Sequence, residues 1–338
     1  MARALYGPGG FFVAGDGPAG HFRTSANSSP VLAAAVVRLL TRLDAVLDRP
    51  GRLDLVDVGA GRGELLSGVL AAAPPLLRSR LRPVAVEVAP RPAALSAEID
   101  WRASVPGGVT GLLIATEWLD NVPLDVVVGD RYISVDPITG LESAGDPVDP
   151  DDAAWLDRWW PEELTGGPSY AETVNKGPFL RREVGLARDR AWAGAVGGVA
   201  RGLAVAVDYG HLLGARPLDG TLTGYRGGRQ VVPVPDGSCD VTAHVAIDSV
   251  CLLGAAVAGR PYQLMTQRQA LKALGAGGGR PPLALAGSDP SGYVRALAAA
   301  SAAAELTAAG GLGDHWWVVQ PVGIDGWTWD DGGHVGSP

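Results

Sequence analysis

The stretch LDLVDVGAGRGE, residues 53–64, constrains this chain more than any other. Leu53, Leu55, Val56 and Val58 form a short apolar run suited to a central strand buried on both faces. The run breaks into Gly59, Gly61 and Gly63, then resumes as the helix-like segment ELLSGVLAAA. Glycines adopt positive φ and admit a ligand close to the backbone, and the first N–H groups of a helix point outward. Strand, turn and helix N-terminus together make a binding place for a nucleotide-like molecule. The spacing is G-x-G-x-G rather than the dinucleotide G-x-G-x-x-G, and no Gly-Lys-Ser/Thr follows as in a P-loop. Asp57 and Glu64 flank the turn, a poor setting for pyrophosphate and a good one for a ligand with cationic groups. S-adenosylmethionine has that chemistry: a sulfonium, an ammonium and an adenosine without phosphate.

Composition narrows the classes further. At 338 residues and 47% hydrophobic content the chain can bury a sizeable core or two modest ones. A net charge of -8 argues against nucleic-acid partners, because nothing would collect phosphates. Cys239 and Cys251 are the only cysteines, which suits a reducing, cytoplasmic setting. No apolar run reaches the length of a membrane span. The five histidines (His21, His211, His244, His315 and His334) never come at metal-ligand spacing, so no metal site is expected. A homo-oligomer stays open.

Along the chain, residues 1–50 read as a glycine-rich lead and a helix from Pro30 to Asp48 that covers a cleft. Phe11, Phe12 and Phe22, three of the chain's four phenylalanines, lie in that lead. Residues 51–139 form the first part of a cofactor-binding core: the central strand, a second strand LRPVAVEVAP, a third around Leu112–Thr116, and a hairpin VVVGDRYISV. Residues 140–200 are a helical insertion, with Trp155, Trp159 and Trp160 on one stripe, followed by a helix from about Arg182 to Arg201. That stripe reads as packing. Residues 201–330 complete the core, with the strand LAVAVDYG, a helix near Ile247–Ala258, the run LMTQRQALKAL, an alanine helix near Ser291–Ala309 and a last strand HWWVVQP. Residues 331–338 read as a tail. Alternating helices and strands give an α/β fold with a mostly parallel sheet.

In such sheets the ligand sits beyond the carboxyl ends of the strands. The strand-end residues are Asp57 to Gly63, Glu87, Glu117 with Asp120, and Asp208 with Tyr209. Glu87 follows the glycine turn at about the interval of a ribose-binding carboxylate. Glu117 and Asp120 would share a face if that piece were helical. Methyl transfer from a sulfonium needs an aligned, desolvated nucleophile and little else, so a Ser-His-Asp set is not required. A nicotinamide-dependent dehydrogenase is disfavoured by the glycine spacing and by the lack of a hydride-transfer pair.

An ordered set of motifs extends this reading: GHFRTS at 20–25, DVGAGRGE at 57–64, VEVAPR at 86–91, Trp101 and ATEWLDNVP at 115–123. Further on stand Glu183-Val184, Trp192, VDYG at 207–210, GTLTGYR at 220–226, DVTAHV at 240–245 and Thr266-Gln267. Together they resemble the family of S-adenosylmethionine-dependent methyltransferases that includes the mitochondrial complex I assembly factor, a protein arginine methyltransferase, and are most similar to its actinobacterial branch. The resemblance implies a Rossmann-like class I methyltransferase fold: a seven-stranded, mostly parallel sheet whose last strand is antiparallel, with insertions over the strand carboxyl ends. It implies S-adenosyl-L-methionine as cofactor, held by Asp57, Gly59, Ala60, Gly61, Gly63, Glu87 and Trp101. It implies catalysis at Glu117, Asp120 and Tyr209, a substrate side at Thr24, Tyr225 and His244, and a protein partner as substrate. His21, Asn27 and Thr116 depart from the family's pattern, and the Phe-Gly that follows its first motif is missing. These departures support an alternative, a non-catalytic cofactor-binding protein that acts as an assembly or interaction factor.

Overall fold

Leu53–Val58 (β1) is buried along its whole length because it lies inside a wide sheet. The computed structural model describes residues 1–14, 30–137, 139–161, 180–277, 279–329 and 334–336. The chain divides into two units. One comprises Arg23–Glu117, Gly194–Asp208 and Ala255–Pro338; the other comprises Met1–Phe22, Trp118–Ala193 and Tyr209–Gly254.

The first unit holds the sheet. Its further strands are Leu81–Val86 (β2), Asp100–Arg102 (β3), Val109–Thr116 (β4), Val199–Asp208 (β5), Tyr262–Thr266 (β6), Trp316–Val322 (β7) and His334–Gly336 (β8). Their order is β8-β6-β7-β5-β4-β1-β2-β3. Strands β1 to β5 run parallel, and β7 lies antiparallel between β5 and β6. Seven strands thus make the mostly parallel, Rossmann-like sheet expected from sequence, with the antiparallel strand around Trp316. Strand β8 is an addition, pairing with β6 where the sequence reads as a tail. Strand order reverses between β1 and β4, which fixes a crevice at their carboxyl ends.

Helix Pro30–Val46 buries Leu32, Val36, Leu39, Leu40 and Leu43, a stripe at helical spacing, in the same core as β1, β4 and Trp317. Arg80 grips the buried Asp44 with both guanidinium nitrogens, at 2.6 and 2.7 Å. The run LMTQRQALKAL splits at Thr266, where a capping box with Gln269 ends β6 and starts helix Gln267–Ala273. The expected helix Arg182–Arg201 is shorter, Leu186–Gly197, because Arg182–Glu183 pairs as a strand and β5 begins at Val199. Trp329 is buried and Trp327 packs against the same core, so this part of the C-terminal segment is structural.

The second unit carries short antiparallel sheets. Glu142–Pro147, Arg131–Val135, Val126–Val128 and Arg182–Glu183 form one, and Arg229–Val231, Thr223–Arg226 and Asp240–Thr242 form another. Gly210–His211 pairs in parallel with Val245–Ala246. Trp155 and Trp160 are buried with Leu156, Val127 and Val184, so the tryptophan stripe is packing, as read. The glycine-rich lead is not all loop: Ala2–Tyr6 and Phe11–Ala14 are helical, and Phe11 is buried with Leu5, Cys239 and Val241.

One constraint in the sheet is unforgiving. Gly111 of β4 and Gly202 of β5 face each other in register, each at φ 146°. A Cβ on Gly111 would lie 2.1 Å from the Asp54 carbonyl oxygen, and one on Gly202 would lie 1.9 Å from that of Gly111. Gly111→Ala should therefore cost about 3 kcal/mol or more, beyond ordinary overpacking, since backbone cannot step aside as a side chain can. Denaturant unfolding checks this; a loss below about 1 kcal/mol would mean the strands respace freely.

Candidate functional site

The glycine turn is built by three left-handed residues in alternation, with Gly59, Gly61 and Gly63 at φ 72°, 57° and 84°. Gly59 and Ala60 donate their N–H groups to the Val86 carbonyl at 2.9 and 3.3 Å, which fastens the turn to the end of β2. Glu87 completes the clasp. Its Oε2 accepts from the Gly61 N–H at 3.0 Å, and its Oε1 accepts from Val88 and Ala89 at 2.8 and 3.0 Å. A carboxylate has about four acceptor positions, so Glu87 shapes the turn and keeps capacity for a hydroxyl. Glu64 folds back to accept the Arg62 N–H at 2.9 Å. Trp101 directs its indole N–H to Ala89 O at 3.1 Å, bracing the segment after Glu87.

Asp57 lies beneath this turn. It is 2% exposed, and its Oδ1 is buried without a hydrogen-bond partner. Burial, reinforced by Glu64 and Glu87, pushes its carboxyl up to about 8. Above the turn, a Cβ built on Gly61 would meet only the Glu64 carboxylate, at 3.5 Å. The turn is thus open at Gly61 and negative around it. Such a cradle fits a ligand bearing positive charge and no phosphate.

Glu117 closes β4 at φ 50°, with its N–H on Val207 O at 2.8 Å and its carboxylate 3.9 Å from His315 Nδ1. His315 opens the antiparallel β7, so it comes to the same end of the sheet as the carboxyl ends of β4 and β5. Spacing alone hides this, because the pair is far apart in sequence. Glu117 and Asp120 do not share a helical face: Glu117 is left-handed, and only Leu119–Asn121 makes a single tight 3-10 turn.

In the second unit Asp120 is buried and accepts at Oδ2 from Tyr209 OH and from Thr242 Oγ1, the latter at 2.8 Å. Burial raises its carboxyl above the usual range, while both hydroxyls and Arg188 draw it back. Arg188, 1% exposed, donates to the backbone oxygens of Asp120, Val122, Ala243 and His244 at 2.5–3.1 Å. His244 is thereby held by its carbonyl, and its N–H bonds Thr221 Oγ1 at 2.8 Å, which in turn donates to the buried Glu183 at 2.7 Å. The His244 ring is exposed and stands edge-on to Tyr209 at 5.1 Å. Tyr225 is half-buried opposite Asp240 in its sheet. Thr24, with His21 and Asn27, lies outside the described residues; Thr116 is buried at the end of β4. Sequence reading missed Arg188 and Thr242. Arg188 sits in LARDRAWAG, which looks like a solvated helix face, and nothing local signals its burial.

A family model described as "putative S-adenosyl-L-methionine-dependent methyltransferase" matches residues 31–263. That span covers more than half of the chain. The chain belongs to this methyltransferase family. Among solved structures, it is similar to a candidate methyl transferase from Burkholderia thailandensis bound to S-adenosyl-homocysteine, with 22% identity over 99% of this chain and 90% of that one and a TM-score of 0.78. It is similar also to an uncharacterised protein of the same superfamily from that organism, with 23% identity over 99% of this chain and 89% of that one and a TM-score of 0.75. No curated protein matches it. The fold is the Rossmann-like one of class I methyltransferases. Among the described residues no helix is long and apolar enough to cross a membrane, and no group of three His, Cys, Asp or Glu is placed to hold a metal.

Asp57 gives the protein a testable pH signature. Its folded carboxyl titrates above its unfolded one, so between about pH 4 and pH 8 the folded state binds more protons than the unfolded state. Its contribution to stability therefore falls as pH rises through that window. Asp57→Asn removes the penalty, and should be more stable than the parent at pH 8 by about 1 kcal/mol or more, with the gap closing toward pH 4. Denaturant titrations at both pH values measure it; a variant less stable at pH 8 would mean Asp57 is well paired.

Proposed function

We propose that this chain binds S-adenosyl-L-methionine at the glycine turn and transfers its methyl group to an acceptor, with an arginine side chain of a partner protein as the acceptor class. The observation that carries the cofactor is the buried carboxylate of Asp57 under an open, acid-rimmed turn at the sheet's switch point. The bound cofactor would supply a methyl group on a sulfonium. Asp57 and Glu64 favour its positive charge, Gly61 lets it reach the backbone, and Glu87 offers a remaining lone pair to a ribose hydroxyl. The homologue carrying S-adenosyl-homocysteine supports the same choice.

Arginine as the acceptor rests on the sequence resemblance and on Glu117, whose carboxylate could hold a guanidinium. Asp120 is a weaker partner for one, because Tyr209 and Thr242 already occupy its Oδ2. It instead orients Tyr209. That closure of Asp120 also favours the second reading, a cofactor-binding assembly or interaction factor without turnover. The narrower likeness to the complex I assembly factor belongs with these proposals.

Calorimetry should show S-adenosylmethionine and S-adenosyl-homocysteine binding with Kd of roughly micromolar to sub-millimolar, with NAD far weaker. Gly61→Val should lose that binding, because a side chain would stand where the ligand meets the backbone. Tight NAD binding with no response to either sulfur compound would sink the cofactor reading.

For turnover, labelled S-adenosylmethionine is incubated with a lysate from cells lacking the protein. Label on protein arginine is the expected result, and a labelled small molecule would redirect the acceptor. Glu117→Gln should cut transfer by about 10²-fold, the scale of a lost electrostatic contact in a transition state. A lower melting temperature with unchanged turnover per folded molecule would make Glu117 structural only.

A further inference from the structure

We propose that Asp57 makes this site select adenosyl ligands that carry a cationic group, by holding a proton while the site is empty and releasing it to solvent when that group settles over the glycine turn. The inference rests on the cofactor reading above and goes beyond it, since it assigns Asp57 a proton and a selectivity.

The geometry carries it. Asp57 belongs to β1, whose neighbours at this position are Ala85 of β2 and Ile114 of β4. Neither can pair with a carboxylate side chain. The charged groups acting on it are Glu64, at the start of helix Glu64–Ala72, and Glu87, just past β2, and both are acidic. No cation is among them. A buried carboxylate with an unpartnered oxygen and two like charges nearby resolves the conflict by taking up a proton. Its carboxyl titrating at about 8 agrees with this.

Other aspartates of the same unit show that the arrangement is local. Asp54, three residues earlier on β1, accepts from Arg52 at 2.8 Å and from the Thr110 N–H at 3.0 Å. Asp44 has Arg80. The rim favours a ligand's ammonium or sulfonium over Gly61: Glu64 and Glu87 stand around that exposed glycine, with Arg62 the one basic residue of the turn. A cation above that turn stabilises the ionised form of Asp57 through space, with no direct contact required. The proton then leaves, and the ligand's charge is what removes it.

The test uses the full-length protein and calorimetry near pH 6.5, where a ligand's α-amino group stays charged. S-adenosyl-homocysteine and S-adenosylmethionine are each titrated in two buffers of different ionisation enthalpy, so that the difference in heat counts protons released. The expected result is release approaching about one proton for the parent with either ligand, and almost none for Asp57→Asn.

The neutral analogue 5′-methylthioadenosine should release none, whether or not it binds measurably. As a second readout, the parent's Kd for S-adenosyl-homocysteine should tighten by up to about tenfold per pH unit from pH 5.5 to 7 and level off near pH 8. This arm needs no variant, so a misfolded Asp57→Asn cannot obscure the answer. Binding with no proton release and a flat pH profile would overturn the proposal while leaving the cofactor reading intact. Equal release in Asp57→Asn, or with methylthioadenosine, would also overturn it. Failure of both sulfur ligands to bind would bring down the cofactor reading, and the proposal with it.

Discussion

Burying β1 on both faces pushes polar chemistry to the two ends of the strand. At the amino end the charges are paired. Asp54 is tied to Arg52 and to backbone, and the Asp44–Arg80 pair pins a helix to the start of β2. Asp57 is the exception, and its position explains why. It is the penultimate residue of the strand, still inside the buried span, and the next element is a glycine turn whose one long side chain, Arg62, is exposed. A carboxylate kept in such a place weakens the fold at neutral pH. Groups perturbed in this way, by burial and like charge at the mouth of a crevice, concentrate at functional sites.

The second unit treats its buried acids in the opposite manner. Glu183 accepts from the Thr221 N–H, the Thr221 hydroxyl and the Leu222 N–H; Asp189 accepts from Trp155 and Ser249. Asp120 has two hydroxyl donors. Arg188 gathers four backbone oxygens and so fixes the loops on either side of Asp120 and His244. Nearby, Arg216 bonds His211 at Nδ1, which places the ring proton on Nε2, and burial with Arg216 holds that imidazole down to about 3. These contacts make stiff scaffolding. His244, whose imidazole is exposed, is presented on it with both backbone groups tied.

How much of this could be read from sequence follows from how local each signal is. The glycine turn, its flanking acids and Glu87 lie within one strand-turn-helix unit and the strand beside it, so a short-range pattern places them. Strand order and the antiparallel β7 came from the ordered motifs rather than from periodicity. Strand β6 was hidden because YQLMT runs directly into QRQALKA, and only the Thr266–Gln269 cap marks the break. Edge strand β8 has three residues and depends wholly on its partner. Arg188, Thr242 and His315 were not legible at all, since each acquires its role from a residue dozens of positions away. The face proposed for Glu117 and Asp120 failed for a local reason: a left-handed residue at 117 starts the segment on a path that no helix follows.

That left-handed residue carries an argument of its own. For a non-glycine side chain, φ near +50° costs roughly 1–2 kcal/mol, and glycine would avoid it. The glycine turn meets the same region of φ with Gly59, Gly61 and Gly63, whereas position 117, like Asp48 and Arg49 before β1, carries a larger side chain there. Glu117 is half-buried at the end of a strand, and its backbone bond to Val207 would be available to any residue. What glutamate adds is a carboxylate, held near His315 at the carboxyl end of β4, beside the point where strand order reverses. Strain accepted for the sake of a particular side chain points to that side chain's chemistry. The left-handed backbone at 117 is thus the observation that supports the role proposed for the Glu117 carboxylate.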